Sequence, residues 1–173
     1  MDIFDARTRS RVMSRIRSKN TKPEVWVRKS LFALGFRYRL HGGKRGRKAG
    51  LPGSPDLVFP KFGAVIFING CFWHGHDCHL FKPPKTRPDV WREKMDTNRR
   101  RDRRNVSDLR RRGWRVLVIW ECALRGKTRS RPEAVIETAA NWLLSGGDMY
   151  EIKGMPGLAP KARPSTPHQG DDG

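Results

Sequence analysis

The sequence predicts an α/β protein, a small mixed central sheet flanked by helices. Three short apolar runs rich in β-branched residues, at 57–59, 64–68 and 116–120, supply the strands. Around them, apolar residues recur with helical period, most clearly at 24–34, 88–112 and 132–145. At 173 residues and 36% hydrophobic content, the chain has the size of one domain with one modest core.

The elements follow in chain order. Val12, Met13 and Ile16 stand at helical spacing among Arg7, Arg9, Arg11, Arg15 and Arg17, so residues 1–20 read as a basic amphipathic arm. Thr21-Lys22-Pro23-Glu24 has the form of a capping box, and Val27, Leu31 and Leu34 continue a helical face up to Gly35. Residues 36–40 alternate apolar and basic side chains and read as an exposed strand, followed by a Gly- and Lys/Arg-rich loop at 41–50. Pro60-Lys61-Phe62-Gly63 between the first two apolar runs is hairpin turn chemistry. A long polar helix at 88–112 carries Trp91, Met95, Val106 and Leu109 on a narrow stripe and closes at Gly113. The run at 116–120 reads as a buried strand. The last helix, 132–145, presents Val135, Ile136, Ala139, Trp142 and Leu143 and stops at Gly146-Gly147. The folded domain is therefore expected at 21–147. Residues 154–173 are rich in Pro and Gly without apolar period, and the tail, taken as 148–173, is expected to be disordered.

Lys and Arg outnumber Asp and Glu by 37 to 17, a formal charge of +20, which points to a polyanionic partner, nucleic acid above all. No apolar run approaches the roughly 20 residues that cross a bilayer, and Met1-Asp2-Ile3-Phe4-Asp5 carries acids where a secretory signal would be apolar. A soluble cytoplasmic protein is expected, with no membrane partner. No long apolar surface stripe is left over once the core is assigned, so the expected state is a monomer.

Cys71, His76, Cys78 and Cys122 use every cysteine in the chain and form a ligand complement suited to tetrahedral Zn²⁺. A closed four-ligand site is structural and would staple the loop after one strand to the end of another. A Cys71–Cys78 disulfide or simple burial is the alternative, and His74 and His79 are rival ligands on spacing alone. Asp56, after Pro52-Gly53-Ser54-Pro55 and at the head of a buried strand, is placed to hold a hard cation such as Mg²⁺ with oxygens near Ile68-Asn69. Turn capping would account for the same aspartate. His74 ends the second strand, where an imidazole near Asp56 could deprotonate water. Phe72, Trp73 and Trp91 border polar segments and either pack in the core or wedge between bases. The runs Arg99-Arg100-Arg101, Arg103-Arg104 and Arg110-Arg111-Arg112, partly neutralised by Asp96, Asp102 and Asp108, read as phosphate contacts.

The segments Pro-Gly-Ser-Pro-Asp56, Phe67-Ile-Asn-Gly-Cys-Phe-Trp-His74, His76-Asp-Cys78, Asp102-Arg-Arg and Gly-Trp-Arg-Val-Leu-Val-Ile-Trp-Glu-Cys122 closely resemble the very-short-patch mismatch repair endonucleases. The resemblance spans about residues 8–142. It implies a restriction-endonuclease-like fold and a nuclease that nicks one strand 5′ to the thymine of a T:G mismatch left by 5-methylcytosine deamination. It further implies Asp56 and the Ile68 carbonyl as Mg²⁺ ligands, His74 as the catalytic histidine and Glu24 as support for metal and water. Cys71, His76, Cys78 and Cys122 then match structural zinc ligands. Phe72, Trp73 and Trp91 match intercalating aromatics, and Met13 an arm entering the minor groove. Double-stranded DNA, other mismatch-repair proteins and a nucleoid location follow as implied partners and place. The family often has Thr-His where this chain has Ile68-Asn69. A restriction-type nuclease without mismatch preference and a zinc-stapled DNA-binding module without catalysis are the rivals. Asp56, His74 and Glu24 together favour an enzyme, because a binder has no need of that set.

Overall fold

A computed structural model describes residues 20–40 and 50–155. The expected arm with Met13, the basic loop at 41–49 and the tail from 156 onward lie outside the described residues. Helix α1, Lys22–Ala33, begins at Thr21, whose hydroxyl oxygen accepts from the Glu24 amide at 3.5 Å. The box differs in one bond from the expected form. Glu24 accepts from the Thr21 hydroxyl and from the amide of Asn20, both at 2.8 Å, so its carboxylate caps the residue one position earlier. The helix ends in a Schellman turn: Gly35 (φ +91°) donates to the Phe32 carbonyl and Phe36 to that of Leu31.

That turn shortens the expected strand at 36–40. Phe36 is spent on closing the helix, and only Arg39–Leu40 remains as β1. Strand β2, Leu57–Phe59, pairs antiparallel with β1 and with β3, Ala64–Asn69, across the turn at Pro60–Phe62. Helix α2, Pro88–Arg111, then crosses over to β4, Arg115–Trp120, which lies parallel to β3. A short helix α3, Glu121–Leu124, and helix α4, Pro132–Ser145, lead to β5, Met149–Ile152, parallel to β4. The sheet has five strands in the order β1-β2-β3-β4-β5.

Strand β5 corrects the expected boundary at 147, because residues 149–152 belong to the sheet. Four residues are too short to display a period. Their strand conformation comes from the hydrogen bonds offered by the free edge of β4 and from Ile152, which reaches the core.

Strand alternation divides the core in two. Leu57, Phe59, Ile66, Leu117 and Ile119 face α1 and α4, whereas Val58, Val65, Val116 and Val118 face Leu109 and Val106 of α2. The result is a sheet between two helical layers. Among the described residues no helix is long and apolar enough to cross a membrane. Leu117 sits on β4, an interior strand of the sheet, with 0% exposure. Leu117→Ala is therefore expected to cost about 2–5 kcal/mol, read as a lower urea midpoint at unchanged slope.

Candidate active site and metal centre

Asp56 precedes β2 after a turn in which Gly53 (φ +74°) and Ser54 (φ +50°) reverse the chain. Gly53 suits this left-handed backbone, and a Cβ there would press on the Asn105 side chain of α2 at 3.0 Å. The Asp56 carboxylate turns toward β3, where its Oδ2 accepts from the Ile68 amide at 2.7 Å. Burial, only partly offset by that hydrogen bond and reinforced by the negative charge of Glu24, pushes its pKa from 3.8 up to about 6. Glu24 is itself 8% exposed. Asp56 is thus a buried carboxylate with a second acid nearby, an arrangement that a bound cation would relieve.

His74 lies past the end of β3, and its Nδ1 meets Asp102 Oδ2 of α2 at 2.5 Å. An acceptor at Nδ1 places the neutral ring's proton on that nitrogen and leaves Nε2 free to take one. Glu24, Asp56, Ile68, His74 and Asp102 line one open groove of about 1910 Å³, together with Phe72 and Trp73. Arg101, Arg103, Arg110 and Arg111 line the same groove.

Cys71, His76, Cys78 and Cys122 present their ligand atoms within 4.8 Å of one another. The strand ends account for this. Asn69 pairs with Trp120 at the end of the parallel ladder, and Cys71 and Cys122 each stand two residues past it, Cys122 in α3. All three cysteines are free thiols, so the alternative Cys71–Cys78 disulfide is not formed. Burial pushes the Cys71 and Cys122 thiols up, so a cation is what would hold them as thiolates. Burial also lowers His76, which keeps the imidazole neutral as a metal ligand requires. Its ring stacks on Trp120 at 4.0 Å. The rival histidines go elsewhere: His74 to Asp102, and His79 to Thr128 Oγ1 and the Lys127 amide at 3.0 and 3.1 Å.

Phe72, Trp73 and Trp91 form one half-buried aromatic group, with Phe72 edge-on to Trp73 at 5.1 Å and to Trp91 at 5.4 Å. None of the three belongs to either core cluster. Lys94 stands over both tryptophans, 5.8 Å from Trp73 and 5.2 Å from Trp91.

Of three residues of α2 that meet the His74 segment, the sequence leaves out Asn98, offers Arg99 as a phosphate contact and gives Asp102 no partner beyond the arginines around it. Asn98 donates to the Trp73 carbonyl at 2.9 Å, and Arg99 donates to that of His74 at 3.3 Å. The available signal was an aspartate within an arginine run, which reads equally well as charge balance.

Two carboxylates, an imidazole oriented by a third and a wall of arginines share one groove, a set suited to hydrolysing a phosphodiester. The sequence profile described as DNA mismatch endonuclease Vsr matches residues 1–80. The chain is 42% identical over 151 residues to the DNA mismatch endonuclease Vsr of Escherichia coli K12, covering 87% of this chain and 93% of that one. It is 46% identical to the type II nicking enzyme V.XorIIP of Xanthomonas oryzae, covering 71% of this chain and 86% of the relative. It is 48% identical to V.NmeAIP of Neisseria meningitidis, covering 75% and 89%. The chain belongs to the Vsr family of DNA mismatch endonucleases.

The raised Asp56 pKa has a pH signature. The native state keeps a proton that the unfolded chain has released, so stability falls as pH rises from about 4 to about 6. Without added divalent ion, Asp56→Asn should be more stable than the parent at about pH 8 by up to about 3 kcal/mol, and equal to it below about pH 4. Urea unfolding at both pH values checks this, and a pH-independent difference would count against the burial of the charge.

Proposed function

We propose that the protein is a metal-dependent DNA endonuclease that nicks one strand 5′ to the thymine of a T:G mismatch arising from 5-methylcytosine deamination. The observation that carries this reading is the single groove shared by Glu24, Asp56, His74, Phe72 and Trp73. The names of its relatives, mismatch endonuclease and nicking enzymes, support the same activity. The reading takes the helix, the antiparallel β2–β3 pair and the parallel β4 as a restriction-endonuclease-like core. The arm at 1–20 serves as a second DNA contact through Met13, and the endonuclease domain starts at 21.

Asp56 and the Ile68 carbonyl are hard oxygen donors that suit Mg²⁺, and Glu24 would act through water, since both its oxygens already cap α1. When bound, the metal stabilises charge on the phosphate and on the leaving oxygen. His74 Nε2 takes the proton of the attacking water, and Asp102 holds the ring and stabilises the imidazolium that forms. Phe72, Trp73 and Trp91 insert beside the mismatch, exchanging base stacking for base-to-aromatic contact. The arginines of α2 neutralise backbone phosphates. Cys71, His76, Cys78 and Cys122 would hold Zn²⁺ as a structural staple, four protein ligands being the complement of a closed site. On this reading the enzyme works as a monomer on nucleoid DNA in the cytoplasm and hands the nick to other repair proteins.

Nicking of a labelled duplex with one T:G mismatch, beside T:A and C:G controls, with Mg²⁺ or with EDTA, tests the assignment. The expected result is a Mg²⁺-dependent cut of the thymine strand in the mismatched duplex alone, lowered at least about a hundredfold in Asp56→Ala. Cutting of every duplex would make it a restriction-type nuclease, and binding without cutting a DNA-binding module. Elemental analysis should find about one zinc per chain, and Cys122→Ala should lose that zinc and unfold about 10 °C lower or more.

A further inference from the structure

We propose that Arg99 is a positioning residue for His74, bracing the backbone from which the imidazole projects. The inference rests on the reading of His74 as the group that activates water. Trp73, His74 and Gly75 lie in an irregular turn between Cys71 and His76 of the Cys/His cluster, and their three successive carbonyls all accept from side chains of α2. Asn98 takes Trp73, while Arg99 takes the next two: Nε donates to the His74 carbonyl at 3.3 Å and Nη2 to that of Gly75. A guanidinium can serve two adjacent carbonyls because its donors form a rigid planar fork, which an ammonium lacks.

Gly75 records how closely the fork sits. Its φ is +57°, and a Cβ there would stand 2.6 Å from Arg99 Nη2. One turn further along α2, Asp102 takes the His74 ring. The helix thus grips His74 at both ends, the backbone through Arg99 and the ring through Asp102. The ring's direction follows from the backbone of a turn, and a turn held only by its own weak bonds would let Nε2 swing from the groove.

An arginine lining a DNA groove has an obvious second use, contact with a phosphate, and the Arg99 side chain is 43% exposed. The bonding argues for the brace. Nε and Nη2 are committed to carbonyls, and Nη1 faces Asp96 at 3.5 Å, so each nitrogen already has a partner.

Arg99→Met and Arg99→Lys, each checked for an unchanged unfolding midpoint, separate the two roles. For the brace, the single-turnover nicking rate on the T:G duplex at saturation falls about 10- to 100-fold in both variants. The dissociation constant for the same duplex stays within about twofold and keeps its salt slope. In DNA-free protein, the His74 ring ¹⁵N shifts move in Arg99→Met. Weaker binding with a salt slope lower by about one, at an unchanged saturated rate, overturns the brace in favour of a phosphate contact. Unmoved rate and ring shifts overturn it as well. Should the parent protein fail to nick at all, the function reading fails separately, and the ring shifts alone decide whether Arg99 holds His74.

Discussion

Both halves of the site hang from the parallel pairing of β3 with β4, six residues against six. Just past its end Cys71 and Cys122 come together in the cluster, and the segment from Cys71 to His76 carries Phe72, Trp73 and His74. On the other edge of β3, the antiparallel pairing with β2 brings Asp56 to the Ile68 amide. A slip of one residue would turn Ile66 and Leu117 out of one core and into the other. The alternation that builds two different cores therefore also holds the ligand geometry, and the chemistry inherits its precision from apolar packing at a distance.

Helix α2 is the second wall and is held in a different way. Only Met95 and Leu109 are buried along its 24 residues. Its grip on the rest comes from Leu109 and Val106 against the sheet at one end, Trp91 among the aromatics at the other, and polar clamps between. Its ion pairs, such as Arg92 with Asp89 and Arg111 with Asp108, are exposed and worth about 0–1 kcal/mol each. Such pairs stabilise the fold little and are readily exchanged for phosphates, which suits a surface that meets a polyanion.

Asp56 runs against folding stability. A carboxylate kept at a pKa of about 6 by burial and a neighbouring acid destabilises the native chain at neutral pH. The neighbouring Glu24 caps α1 through Asn20 and Thr21. One residue thus starts a helix and faces the groove, so the N-terminus of α1 and the acidic site are built as a unit.

The local elements were legible in the sequence because their signals are local. Thr21 and Glu24 announce a helix start, Gly35 its stop, Pro60 to Gly63 a hairpin, and the unbroken apolar runs of β3 and β4 buried strands. The spacing of Cys71, His76 and Cys78 with a distant Cys122 announced the cluster, since few other arrangements use every thiol. Tertiary structure alone decided which partner each histidine takes: His76 joins the cysteines, His79 the loop at 127–128, and His74 an aspartate 28 residues away. It also made a strand of residues 149–152 and turned Arg99 from one charge in a run into a brace on two carbonyls. Caps, turns and periods depend on neighbours a few residues apart, which a sequence displays. A side-chain hydrogen bond depends on which elements pack, in which register and with which face, and that is settled only when the sheet and its helices come together.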